Sequence, residues 1–299
     1  MSSPSHPRLV STVSIVASIS ALETFLDTVN GSSSLYLDLE GTRLGRDGTL
    51  ELITVLVYPQ RKISIIDVHA LGNTAFTTAA RSTIFKTLKI ILETPVIPKY
   101  LWDVRNDADA LKALYNVSIS GVIDIQLLEN VTRPGNKLHV KSLENAIRQD
   151  AKLADGEIAA WKRTKTGIRN QMNRRDRKLF SERPLTGRIL QYCVGDVQYL
   201  PDLRKTYMKR PAYTDVWVRK LEEESSKRVM EAWSPEYNRR KESMKLGPWG
   251  AYPKQYDANG RHLIHISEME FDKWEGFRLY PWPDGGFEGW FELPGDEFP

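Results

Sequence analysis

Three apolar runs, SLYLDLEG (34–41), LELITVLVYP (50–59) and KISIIDV (62–68), follow one another with only short polar connections between them. Runs of this length, rich in Val, Ile, Leu and Tyr, read as β-strands, and connections as short as RDGT and PQRK return each strand antiparallel to the last. An antiparallel meander is expected. From Thr74 to Leu92 the apolar spacing turns helical, PVIPKYLWD reads as a further strand, and NDADALKALYNV as a helix with Ala110, Leu111 and Leu114 inward. GVIDIQLLENV looks like a short strand running into a helix. Antiparallel strands followed by strand–helix alternation is the order of an α/β domain with a mixed sheet.

Ahead of the meander, ISALETFLDTVNGS reads as an amphipathic helix with Leu22, Phe25, Leu26 and Val29 on one face, stopped by Asn30-Gly31. Residues 140–205 are mainly helical in pattern. Beyond about residue 225 the composition shifts to Gly and Pro with five of the eight tryptophans. The expected organisation is a leader over 1–18, a folded domain over 19–215 and an acidic, Trp-rich extension over 225–299, without internal repeats.

The single cysteine, Cys193, excludes an intramolecular disulfide framework, and no CxxC pair exists for zinc. Asn-x-Ser/Thr matches at Asn30, Asn116 and Asn130 read as chance in a chain with no clear signal peptide, and no stretch is long and apolar enough to span a bilayer. A soluble intracellular protein is expected, in cytoplasm or nucleus ahead of the mitochondrion, with no membrane partner. A P-loop pattern is missing, which argues against ATP-driven activity. The net charge of +4 is unevenly spread: residues 161–180 carry eight Lys/Arg against one acid, whereas 256–299 carry ten acids against three basic residues.

Two carboxylates stand inside the first apolar run. Side chains alternate across a strand, so Asp38 and Glu40 share one face while Leu37 and Leu39 take the other. Carboxylates that close are costly unless one is protonated or a cation sits between them; a strand end reaching solvent is the plain alternative. Further acids, Asp103, Asp107 and Asp109, cluster where a strand ends and a helix begins, as caps or as ligands. In LQYCVGDVQYL, Tyr192 and Asp196 are four apart and share a helix face, as a surface pair or as part of the same site.

Taken in order, Asp-x-Glu in LDLEG, an acid in LWDVRNDADAL and Tyr-x-x-x-Asp in LQYCVGDVQYL resemble the DEDD 3′–5′ exonuclease family. The tyrosine marks its DEDDy subclass, in the branch of ribonuclease D and the exonuclease domains of RecQ-type helicases. DVQYL and the preceding RPL also match, and the resemblance spans roughly residues 10–210. It implies a ribonuclease H-like mixed β-sheet flanked by helices and selects Asp107 from the three acids, with Asp124 supporting.

By that resemblance Asp38 would bridge two divalent cations, Mg²⁺ or Mn²⁺. Glu40 and Asp196 would complete the site of the nucleophilic water, Asp107 would support the second ion, and Tyr192 would orient the water. Hard cations prefer oxygen ligands, and two of them stabilise the attacking and leaving oxygens of phosphodiester hydrolysis. The implied partner is a nucleic acid, RNA or DNA, with a free 3′ end, losing nucleoside monophosphates. Lys162, Arg163, Lys165, Arg169, Arg174 and Arg175 offer a basic surface for its phosphates, or a solvated face; Trp161 could stack on a base or sit in the core. A non-catalytic adaptor that keeps the exonuclease fold is the rival reading, and His262 and His265 lack the partners of a metal site.

Overall fold

The computed structural model describes residues 13–172 and 179–250, together with the segments 255–256, 262–265 and 290–292. Its centre is a six-stranded mixed sheet in the order β1-β4-β3-β2-β5-β6. The three expected strands are β2 (Ser34–Glu40), β3 (Leu52–Tyr58) and β4 (Lys62–Asp67), paired antiparallel with Asp38 opposite Thr54 and Glu40 opposite Leu52. On the far side of β2 the chain adds β5 (Lys99–Leu101) and β6 (Val122–Asp124), both parallel. Val13–Val16, in the segment read as a leader, forms β1 and extends the sheet parallel to β4.

Helices close both faces. On one side lie α1 (Ile19–Thr28), the short α2 (Val68–Leu71) and α3 (Thr74–Thr77), α4 (Leu88–Glu93) and α5 (Arg105–Tyr115). Between Ala80 and Lys86 the expected continuous helix is interrupted, and an antiparallel bridge joins Ala79 to Thr87. Leu35, Leu37 and Leu39 of β2 face this side and share its core with Leu22, Leu26, Leu88 and Leu111. Alternation sends Tyr36, Asp38 and Glu40 the other way. That second face meets α6 (Ile125–Thr132), α7 (Leu143–Asp150), α8 (Asp155–Met172), α9 (Gly187–Val197) and α10 (Leu200–Tyr207), with Tyr36 packed among Tyr100, Leu127 and Leu203.

The chain then runs through α11 (Asp215–Trp233), so the composition boundary near residue 225 falls inside one helix. This helix lies along α5 and β6 because it brings them bonding partners. Ser225 accepts from the Asp124 N–H at 3.0 Å, Arg228 donates to the Asp124 carboxylate at 2.7 Å, and the Trp233 indole donates to the Ala108 carbonyl at 3.2 Å. Trp249 is buried edge-on to Trp217, with ring centres 6.0 Å apart. The remaining described segments, Gln255–Tyr256, His262–His265 and Trp290–Glu292, form a three-stranded antiparallel sheet.

Candidate metal centre and nucleic-acid face

Strand β2 carries Asp38 and Glu40 to its C-terminal end, where the sheet must stop abruptly. Gly41 permits this: a Cβ there would sit 1.9 Å from the Thr49 carbonyl oxygen. Helix α9, capped by the Thr186 hydroxyl on the Ile189 N–H, lies across β2 and presents Tyr192 and Asp196 one turn apart. One carboxylate oxygen from each of Asp38, Glu40 and Asp196 lies within 4.8 Å of the others. Residues more than 150 positions apart in the chain thus meet at one point.

Asp107 approaches from the first turn of α5, outside that triad. Its helix has no side-chain cap of its own. Instead Asp124 reaches from the end of β6 and accepts from the backbone N–H groups of Asp103 and Val104 at 3.0 and 3.2 Å, fixing the turn that starts the helix. The neighbouring acids are already engaged. Asp103 holds Arg105 at 2.6 Å, and Asp109 accepts from both the backbone and the side chain of Arg46 at 2.8 Å. No described cation pairs with Asp107.

The electrostatics follow from this crowding. Burial first, then repulsion by Asp196, pushes the Asp38 carboxyl up to about 7, against the pull of Lys165. Burial and the charge of Asp38 raise Glu40 and Asp107 well above the usual carboxylate range. Burial also raises Asp196, with Lys165 opposing. The Tyr192 hydroxyl is driven far upward by burial and by Glu40, Asp196 and Asp38, so it keeps its proton at any working pH.

A cluster in this condition fits divalent cations. Every donor is a carboxylate oxygen, the set a hard cation prefers. Asp38 Oδ2 and Asp196 Oδ1 are buried without a hydrogen-bond partner, a costly arrangement unless something else satisfies them.

Lys165, expected on the phosphate-binding surface, is placed elsewhere. It is 6% exposed, its ammonium bonds the Asp196 carboxylate, and it stands 3.8 Å above the centre of the Tyr192 ring. Trp161 is also buried, in the core rather than on the surface, and donates its indole N–H to the Gly195 carbonyl at 3.0 Å, which locks α8 onto α9. The rest of the basic face is open: Lys162 and Arg169 lie 3.5 Å from Glu144 yet remain more than half exposed, and Arg163 is exposed. Arg174 and Arg175 lie outside the described residues.

Similarity to known proteins agrees with this geometry. A family profile described as 3′–5′ exonuclease matches residues 13–210. No curated protein sequence matches the chain. Among solved structures, RNase D of Trypanosoma brucei in complex with GMP superposes with a TM-score of 0.62 at 19% identity, over 79% of this chain and 69% of that one. The same protein with RNA U12 gives 0.62 at 18% identity, over 84% and 83%. Escherichia coli RNase D, described as an exoribonuclease involved in structured RNA processing, gives 0.54 at 19% identity, over 75% of this chain and 51% of that one. At such identities the likeness is one of fold. No described helix is long and apolar enough to cross a membrane.

Proposed function

The chain belongs to the 3′–5′ exonuclease family, and from that premise we propose that it hydrolyses phosphodiester bonds at the 3′ end of a nucleic acid strand and releases nucleoside monophosphates. The observation that carries the reading is the meeting of Asp38, Glu40 and Asp196 within 4.8 Å, close enough to Tyr192 and Asp107 for their charges to act on both. Asp38, Glu40, Asp107 and Asp196 would hold two divalent cations, Mg²⁺ or Mn²⁺. When bound, these supply positive charge for the attacking and leaving oxygens.

The chain's own groups do the positioning. Tyr192 Oη, whose titration is driven upward by burial and the surrounding carboxylates, would act as a hydrogen-bond donor that orients water. Lys165 offsets part of the negative charge at Asp196 and keeps that carboxylate in place. Exposed Lys162, Arg163 and Arg169 on α8 offer phosphate contacts, whose strength falls with salt.

One observation favours a second reading. The ammonium of Lys165 on Asp196 places a resident cation where an inert, nucleic-acid-binding relative would need one. Digestion of 5′-labelled single-stranded RNA and DNA of equal sequence, with Mn²⁺ or with chelator, separates the two. A chelator-sensitive ladder shortening from the 3′ end, lost in Asp38→Ala and strongly slowed in Tyr192→Phe, supports the exonuclease; salt-sensitive binding without shortening supports the inert relative. RNA is the first substrate to try, because the T. brucei neighbour was solved with RNA.

A further inference from the structure

A cleft of about 330 Å³ opens between the loop joining β2 to β3 and the segment that follows α11, and its walls are rich in arginine. We propose that this cleft is a second phosphate-binding site, which grips the backbone of the strand whose 3′ end lies at the carboxylate centre. The direction of the strand rests on the exonuclease reading; the binding itself does not.

Four guanidinium groups line the cleft, from Arg43, Arg46, Arg239 and Arg240, against two acids, Asp47 and Asp109. Asp109 is consumed by Arg46, whose other guanidinium nitrogen donates to the Ala232 and Ser234 carbonyls at 2.8 and 2.9 Å. Arg46 is therefore a strut between the walls. Arg239 donates one N–H to the Leu44 carbonyl at 2.8 Å, which ties the second wall to the first and leaves the rest of its fork available. Arg43 and Arg240 are exposed and form no ion pair with a carboxylate among the described residues. Excess guanidinium groups on opposed walls suit an anion with several oxygens, because the planar fork matches phosphate in a way a lysine point charge does not.

The cleft's position identifies which phosphate. Arg43 follows Glu40 by three residues, so its Cα lies within about 11 Å of the Cα of Glu40. Across the cleft, Tyr237 donates to the Asn106 side chain at 2.8 Å, and Asn106 directly precedes Asp107. Both walls are thus bonded to the elements that present the carboxylates. A strand ending at Asp38 and Glu40 has neighbouring phosphates that need a cation nearby but outside the acidic centre, and this cleft supplies it. Residues 234–240, which form the second wall, lie beyond the segment that the exonuclease profile matches. An acidic protein segment would also be attracted by charge, but it has no reason to align with the carboxylate end of β2.

The test is fluorescence anisotropy of 5′-labelled single-stranded RNA with the full-length chain in chelator, so that no turnover is needed, at salt from ~50 to ~200 mM. The variant Arg43→Ala/Arg239→Ala/Arg240→Ala should weaken binding roughly tenfold to a hundredfold and lower the slope of log affinity against log salt by about 2. The corresponding triple Lys variant, which keeps the charge, should recover most of the slope, and that recovery separates phosphate binding from a folding defect. An unchanged slope in the Ala variant overturns the proposal. Displacement of bound RNA by an acidic peptide at a concentration no higher than unlabelled RNA requires also overturns it, in favour of a protein partner. Because binding is read in chelator, it stands apart from turnover: a chain that binds through the cleft yet never shortens the same RNA when Mn²⁺ is supplied refutes the exonuclease reading alone.

Discussion

Take away the ammonium of Lys165 and Asp196 is left buried, with an orphaned oxygen and no other ion pair among the described residues, only the more distant charge of Arg169. Breaking one half of a buried pair costs about 3–5 kcal/mol. Lys165→Met should therefore lower the melting temperature in chelator and, by sharpening the negative charge of the cluster, enlarge the rise produced by Mn²⁺; calorimetric melts with and without metal read both. A variant that melts like wild type in chelator would show that Lys165 neutralises nothing. Asp38 makes the complementary point through pH. Its carboxyl is held up to about 7, above the ordinary ~3.9, so between these values the metal-free fold keeps a proton that the unfolded chain has released. This group's contribution to stability is present below ~4 and is lost as pH rises towards about 7. In chelator, the melting temperature of wild type relative to Asp38→Asn should fall across that window, and saturating Mn²⁺ should remove the fall.

Elements place these residues through contacts that no motif names. The turn that begins α5, and with it Asp107, hangs on the Asp124 carboxylate, which α11 in turn neutralises through Arg228. Arg228→Met should cost about 3–5 kcal/mol, and its activity should recover partly in the double variant with Asp124→Asn, since the two act on one contact. Much of this architecture was legible. β-Branched runs separated by short polar links gave the meander, and alternation along β2 put Asp38 and Glu40 opposite the leucines. Lys165 was misplaced because a dense basic run reads as solvated, although Trp161, Lys165 and Ile168 stand at i, i+4 and i+7 and form the buried face of α8. That spacing was the missed signal. Strand β1 was missed because four residues at a sheet edge, with Val13 and Ile15 exposed, carry too little pattern. The arginine cleft could not be seen because its walls are irregular loops nearly two hundred residues apart, brought together by α11.

At the scale of the whole molecule, the matched exonuclease segment ends at residue 210 but the packing does not. A chain truncated there loses Arg228 from Asp124, Trp217 and Trp249 from the second core, and Trp233 from α5. It should aggregate or unfold without a sharp transition in a thermal melt, whereas a cooperative, soluble product would mean that α11 is dispensable. The family's motif order thus selected the acids proposed to hold metal, while the energy that fixes them comes partly from outside the motif-bearing segment. What joins these scales is the proposal that four clustered carboxylates, those of Asp38, Glu40, Asp107 and Asp196, form a site for cations. Titrating Mn²⁺ into the metal-free chain and following its melting temperature tests it most directly, because a cation that binds only the folded state stabilises it by about 2.7 kcal/mol at a hundredfold excess over Kd. A saturable rise in wild type that Asp38→Ala abolishes is the expected result; no rise, or an equal rise in the variant, would rule out the cation site.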